Sequence, residues 1–145
     1  MAQNLIEYHI QRDSRLSLKV AAGETLYAGD AVSIKSDMTV GKAGLDDETV
    51  IGIVYGGTVG NAALAGLVTD DQTLVGFSGA RKESVTVILH GSLIYLPVAS
   101  PVIGKPVAPS ATGYKVGDPT KPLSHIGKIV SVNTKVAGQV LVLVK

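Results

Sequence analysis

Apolar residues recur at every second position in several short runs of this chain, and the longest apolar run lies past the middle. It covers residues 85–98, VTVILHGSLIYLPV, and it is interrupted by Gly91 and Pro97. An apolar, β-branched run bounded by Gly and Pro is typical of buried strands and not of a helix. We therefore predict two buried strands that meet at a kink within this run.

Shorter runs predict further strands on both sides of this central stretch. Apolar and polar residues alternate over 6–10 and 16–20, which indicates two half-buried strands joined by a polar turn. Short apolar runs at 50–54, 126–130 and 139–144 predict three more strands. Most of the chain is therefore expected to be extended.

The remaining segments carry weaker patterns. Residues 33–40 are predicted to continue as one extended segment, and 100–122 is rich in Pro and Gly, which predicts turns and short extended pieces. Residues 61–68 could form one or two helical turns capped by Asn61. The chain is thus predicted to be a single all-β domain over 1–145, a small β-barrel with at most one short helix.

The two halves of the chain carry the same pattern of turns and strands. The Gly pairs 29/104, 41/117 and 52/127 keep separations of 75 or 76 residues, and each half ends in an apolar strand. These features predict two related β-units that share one core, with glycines at tight turns. The matching segments are 18–22 with 96–100, 29–32 with 104–107, 40–41 with 116–117, 51–54 with 126–130, and 85–89 with 140–144.

The first half also contains an insertion. Thirty residues separate Val54 from Val85, whereas nine separate Val130 from Val140. Long excursions in compact domains are usually functional or disordered, so we predict that the insertion, residues 55–83, packs against a neighbour or against its own barrel. Its candidate contact residues are Leu64, Leu67, Leu74 and Phe77.

Composition and motifs give no indication of catalysis. The chain has no cysteine, and its three histidines are too far apart in sequence to show metal-ligand spacing. Its net charge of +1 does not favour a nucleic-acid partner, and it contains no apolar stretch long enough to span a bilayer. The acidic runs 46–48 and 70–71 are predicted to be solvated loops. We predict no enzyme activity, no metal, no cofactor and no membrane partner, for a soluble protein made inside a cell.

Residues 23–38 resemble the pattern around the modified lysine of lipoyl and biotinyl carrier domains. Those families present the lysine on a hairpin, directly after an acidic residue. Here Asp37 is followed by Met38, and Lys35 lies before the turn. The carrier function is therefore not expected, although the turn geometry can be shared.

A second resemblance covers more of the chain, roughly 20–144. Ala28-Gly29-Asp30 with Val32, the run Ile51-Gly-Ile-Val54 and the run 85–91 are similar in order to the small capsid decoration proteins of tailed bacteriophages, also called head-stabilising or cement proteins. The resemblance implies a β-clip or β-tulip-like domain. It also implies a structural virion protein that binds the outer surface of a phage capsid and stabilises the shell.

The same resemblance implies the partners and the location. The partner is the major capsid protein, and the protein itself is expected to be a homotrimer on the outer surface of the virion after synthesis in the host cytoplasm. An N-terminal arm, residues 1–4, is expected to reach the major capsid protein. The predicted capsid or protomer contacts are Gln3, Asn4, Leu64, Leu67, Leu74 and Phe77.

Two other functions remain open from the sequence. One is a structural protein associated with a phage tail or fibre. The other is a ligand-binding or enzymatic β-barrel whose site becomes visible only in the fold. Binding to empty capsids would separate the decoration protein from both.

Overall fold

The computed structural model describes residues 6–9, 15–21, 23–57, 84–133 and 135–145. Within these ranges the only helical element is a 3-10 turn, Pro122–Ser124, which confirms the all-β prediction. The strands are β1 Ile6–His9, β2 Arg15–Val20, β3 Ala31–Ser36, β4 Thr39–Lys42, β5 Val50–Gly57, β6 Ser84–Ile88, β7 Leu93–Leu96, β8 Val98–Ala99, β9 Pro106–Pro109, β10 Tyr114–Val116, β11 Gly127–Ser131 and β12 Val140–Val144.

Strands β2 to β6 form the first unit, a closed barrel with the order β2-β4-β3-β5-β6. Successive residues of a strand point to opposite faces, so alternate residues enter the barrel. The interior is filled mainly by β-branched and leucine side chains, as expected for a chain with few aromatic residues. The buried interior residues are Leu18, Val20, Leu26, Val32, Val40, Val54, Val85 and Val87.

Strand β1 and strands β7 to β12 form the second unit, a sheet with the order β1-β7-β12-β11-β9-β10-β8. Strands β7 and β8 adjoin along the chain on either side of Pro97. Proline cannot donate a backbone hydrogen bond, which explains the break between them. If β7 and β8 are taken as one strand equivalent to β2, every pairing of the first unit recurs, including the parallel contact of β2 with β4 as β8 with β10.

Single hydrogen bonds recur as well. The N–H of Gly29 donates to the oxygen of Val54, and the N–H of Gly104 donates to that of Ile129, both at 2.8 Å. The two glycines have φ values of 93° and 81°, a region that favours glycine. The predicted repeat is therefore confirmed as two copies of one strand order that share the glycine turn at 29 and 104.

A second glycine pair has the same packing role in both units. A Cβ on Gly52 would lie 2.2 Å from the backbone oxygen of Ile88, and a Cβ on Gly127 would lie 2.5 Å from that of Leu143. Glycine at these positions therefore allows β5 to approach β6, and β11 to approach β12, more closely than any other residue would.

The third predicted pair, 40–41 with 116–117, was wrong by two residues. The N–H of Ala43 donates to Ala31 O and the N–H of Gly117 donates to Pro106 O, so Gly117 matches Ala43 and not Gly41. The predicted match required the connection between these strands to be one residue longer in the second unit than in the first. It is one residue shorter instead, because Ile34 pairs with Val40 but Pro109 pairs with Tyr114.

The prediction of one extended segment over 33–40 was also wrong. Strands β3 and β4 form a hairpin whose tip is Asp37 and Met38. Met38 has a φ of 56°, and the hydroxyls of Ser36 and Thr39 lie 2.7 Å apart across the turn. Glycine, the usual signal for a positive φ, is absent here, so the sequence did not mark the turn.

The units pack together through the outer face of the first. Ala31, Ala43, Ile53 and Ile88 point away from the first barrel and belong to the same core cluster as the interior of the second unit. Burial of these side chains explains why the outward-facing residues Ile53 of β5 and Ile88 of β6 are apolar. Among the described residues no helix is long and apolar enough to cross a membrane.

Candidate interaction surface

The contact residues predicted from the sequence lie outside the described residues. These are Gln3, Asn4, Leu64, Leu67, Leu74 and Phe77, and the predicted helix over 61–68 also lies outside them. Of the insertion, only residues 55–57 are described, and they form the end of β5. The candidate surfaces below are therefore built from other parts of the chain.

An ion pair joins the two units at the loop that follows β4. The Asp46 carboxylate lies 2.7 Å from Lys115 Nζ and 4.0 Å from Lys121 Nζ. The backbone N–H of Asp46 also donates to the oxygen of Pro109 at 3.1 Å. The Asp46 side chain is only 10% exposed, so the prediction of a solvated acidic loop fails for this residue. Asp46 is a link between the units.

Asp47 holds the same loop in shape. Its carboxylate accepts hydrogen bonds from the N–H and hydroxyl of Thr49, at 2.9 and 2.7 Å, and from the N–H of Gly44 at 3.2 Å. Desolvation opposes ionisation, but these hydrogen bonds outweigh it and lower the pKa of Asp47 to about 2. Asp118 makes the same pair of bonds to Thr120 in the second unit.

A buried tyrosine forms a second link between the units. Tyr114 is buried in the second unit, and its hydroxyl donates to the backbone oxygen of Gly29 in the first. Burial, together with the nearby charge of Asp30, raises the pKa of Tyr114 well above its usual value. Burial also raises the pKa of Asp30, although the N–H of Tyr27 donates to it at 3.0 Å. Tyr114 therefore remains a protonated donor.

No catalytic constellation is formed by the described residues. Among them there is no group of three or more His, Cys, Asp or Glu side chains that could hold a metal ion. His125 packs over Gly117, where a Cβ would lie 2.5 Å from its ring, and its Nε2 lies 2.8 Å from the oxygen of Asp118. These contacts give His125 a structural role in the loop before β11.

Four exposed apolar residues lie on two paired backbone segments at β11. The loop before β9 runs along this strand, because the N–H of Gly104 donates to Ile129 and the N–H of Ile129 donates to Lys105. This pairing brings the loop next to the exposed residues at the end of β11. We call Val102, Ile103, Val130 and Val132 the loop patch; they are between 39 and 60% exposed.

The sequence did not reveal the loop patch. Val102 and Ile103 lie in a Pro- and Gly-rich stretch without periodicity. Val130 is the last residue of a predicted buried strand, and Val132 lies in the predicted connection after it. Exposed apolar residues are ordinary when single, but a contiguous group indicates a contact surface. The exposed Lys105 and Lys128 flank these residues in sequence.

The chain was also compared with known proteins. No protein-family model matches it, and a search of curated proteins found no relative. The surfaces described above are therefore the basis for a functional proposal, together with the resemblance in sequence pattern.

Proposed function

We propose that this protein is a phage capsid decoration protein that binds the outer surface of the shell and stabilises it. The observation that carries the proposal is the loop patch, an apolar surface on a rigid β-scaffold. A scaffold of two packed β-units presents such a surface at low entropic cost, because the strands beside it are already ordered. The order of turns and strands that resembles decoration proteins supports the same function.

Shell binding does not need a strong individual contact. A decoration protein is present in many copies on one shell, so modest interfaces of low affinity add up through multivalency. The loop patch suits this kind of contact, with four apolar side chains and lysines beside them. The proposed partner is the major capsid protein, and the N-terminal arm, residues 1–4, is proposed as a second point of attachment.

The test uses empty shells of the phage that encodes this chain, prepared without the protein. Purified protein is added, and the bound fraction is measured by sedimentation with the shells. The double variant Ile103→Asp/Val130→Asp should bind at least tenfold more weakly. Leu123→Asp is the matched control, because Leu123 is 68% exposed and lies on the 3-10 turn instead.

Three results would argue against the proposal in different ways. If wild-type protein does not sediment with the shells, the proposed function is wrong. If the double variant binds as well as wild type, the loop patch is not the contact surface. If deletion of residues 1–4 leaves binding unchanged, the N-terminal arm is not a point of attachment. Thermal unfolding of each variant, followed by circular dichroism, shows that a loss of binding is not a loss of folding.

A further inference from the structure

The two units differ along one side of a strand that occurs in both. Strand β7 of the second unit pairs with β12 on one side and with β1 on the other. Its equivalent in the first unit, β2, pairs with β6 over residues 15–19 but with β4 only over its last two residues. Among the residues that the structure describes, nothing pairs with the start of β2 on the side away from β6. We call Arg15, Leu16 and Ser17, on this side of β2, the free edge.

The backbone groups of Arg15 and Ser17 point toward the free edge. The N–H of Ala21 donates to the oxygen of Val40 on β4 at 2.9 Å. Because the backbone groups of successive residues in a strand alternate between its two sides, those of Ser17 and Arg15 point to the same side as the N–H of Ala21. The register of β2 on β6 is regular over this stretch, so the alternation is not interrupted. The free edge therefore presents the N–H and C=O groups of both residues.

The second unit shows what kind of segment pairs with this edge. Leu93, Ile94 and Tyr95 occupy the places of Arg15, Leu16 and Ser17. Strand β1 lies antiparallel to these three residues, and one of its residues lies directly opposite Ile94. The pairings of β7 and β8 with the other strands of the second unit are those of β2. A short extended segment that runs antiparallel to β2 is therefore compatible with this strand order.

The free edge lacks the features that usually keep a strand from accepting another one. Bulges, prolines and charged side chains protect strand edges. Residues 15–18 include no proline, and their pairing with β6 has no irregularity. The charged side chain of Arg15 reaches across β6 to Tyr55 on β5, with its Cζ 5.3 Å from the centre of the ring. Its guanidinium group therefore points away from the free edge.

Exposed apolar side chains accompany the free edge. Leu16 is 43% exposed. Met38 is 61% exposed and directly precedes Thr39, where the pairing of β4 with β2 begins. A residue that an added strand places opposite Leu16 has its side chain on the same face as Leu16. An apolar residue at that place would remove apolar surface of Leu16 from water, which is favourable.

We propose that the free edge binds an extended segment of another protein by β-strand addition, with an apolar residue opposite Leu16. Hydrogen bonds to the backbone of Arg15 and Ser17 supply the affinity, and the contact with Leu16 supplies the specificity. The described strands of a second copy do not supply this segment. Strand β1 is already paired with β7, and its register is irregular between Glu7 and His9, which opposes pairing on its other side. The proposal does not depend on binding to a capsid.

The first test uses an array of short synthetic peptides and the purified full chain. The peptides alternate threonine with valine, isoleucine, leucine, phenylalanine or tyrosine, and peptides of threonine alone are the control. Peptides with an apolar residue should bind with dissociation constants below about 1 mM, measured by fluorescence anisotropy. Their binding should shift the amide NMR signals of residues 15–17. If no peptide binds below this limit, or if the shifts lie elsewhere, the proposal is wrong.

N-methylated peptides test whether the backbone makes the contact. Methylation at every second residue, where the N–H points toward β2, should weaken binding about tenfold, and methylation at the residues between should have little effect. Ser17→Pro removes one donor of the free edge without removing a bond to β6, because the N–H of Ser17 points away from β6. It should weaken binding to a similar degree, whereas Ser17→Thr, which keeps the N–H, should bind like wild type. Equal effects of methylation at all positions would overturn the proposal.

The last variants test the apolar contact. Leu16→Glu should weaken binding of the peptides about tenfold, whereas Leu123→Glu, on the exposed 3-10 turn, should leave it unchanged. Circular dichroism melts show which variants are folded, and the methylated peptides decide the matter if Ser17→Pro is not. Light scattering measures the molar mass with and without peptide. If peptide lowers the mass from several copies of the chain to one, a second copy occupies the free edge, and the proposal is wrong.

Discussion

The two units of this protein have the same strand pairings and differ in the residues that pack against their outer faces. Ile53 on β5 and Lys128 on β11 occupy equivalent places, each opposite its neighbour in the next strand. Ile53 is fully buried under the second unit, whereas Lys128 is exposed to solvent. The interior positions, such as Val54 and Ile129, are apolar and buried in both units. The two units therefore share their apolar interior positions, while the residues on each outer face differ with their environment.

The largest expected difference between the units comes from substituting each of these two residues by its counterpart and measuring the free energy of unfolding. Ile53→Lys places an unpaired ammonium group in the junction between the units, and a buried unpaired charge costs about 3–5 kcal/mol. Lys128→Ile should change the free energy of unfolding by no more than about 0.5 kcal/mol, because the side chain is at the surface. Urea unfolding of both variants measures the difference. Similar losses for both would mean that the units do not pack through this face.

The glycines that allow close strand approach should show the next largest effect. Gly52→Ala puts a methyl group against the backbone oxygen of Ile88, which the neighbouring strand cannot avoid without moving. We expect a loss of about 3 kcal/mol, and a similar or slightly smaller loss for Gly127→Ala. Gly44→Ala is the control, because nothing lies within 4 Å of its added Cβ. If only one of these two substitutions lowered the stability, the two units would not be equivalent in packing.

The hydrogen bond from Tyr114 is found in only one unit, because the equivalent residue in the first is Val40. Tyr114→Phe keeps the ring but leaves the oxygen of Gly29 without this donor, and we expect a loss of about 1–2 kcal/mol in thermal or urea unfolding. Tyr55→Phe is the matched control. Its ring, which faces Arg15 at 5.3 Å from the centroid, is retained. Equal stability of the two variants would show that the bond does not hold the units together.

The smallest effect concerns the Asp–Thr turns that occur in both units. The pKa of Asp47 in the folded protein is about 2, below that of an unfolded chain, so its contribution to stability is present above about pH 4 and is lost as the pH falls toward 2. Asp47→Asn should reduce stability at pH 7 by less than about 1 kcal/mol, because the group is largely solvated. The same substitution should reduce stability very little at pH 2. A carbon-detected NMR titration should find the pKa of Asp118 lowered as well.

Much of the fold could be predicted from local pattern. Alternation placed β1 and β2, and the repeated glycines at 29 and 104 marked turns whose positive φ few other residues adopt. The Asp37–Met38 hairpin was missed because the exposed Met38 adopts a positive φ without a glycine to signal it, and the contacts of Ser36 with Thr39 close the turn. The difference in exposure between Leu16 and Ile94 could not be predicted, because these two apolar residues occupy equivalent places in the two units. It arises because Ile94 packs in one core cluster with side chains of the first unit.

Amide hydrogen exchange in the equivalent strands β6 and β12 tests the central claim most directly. Strand β12 should exchange more slowly than β6, because Val144 at the end of β12 packs in one core cluster with side chains of the first unit, whereas Leu89 beside β6 is only partly buried. Equal protection of the two strands would contradict the account.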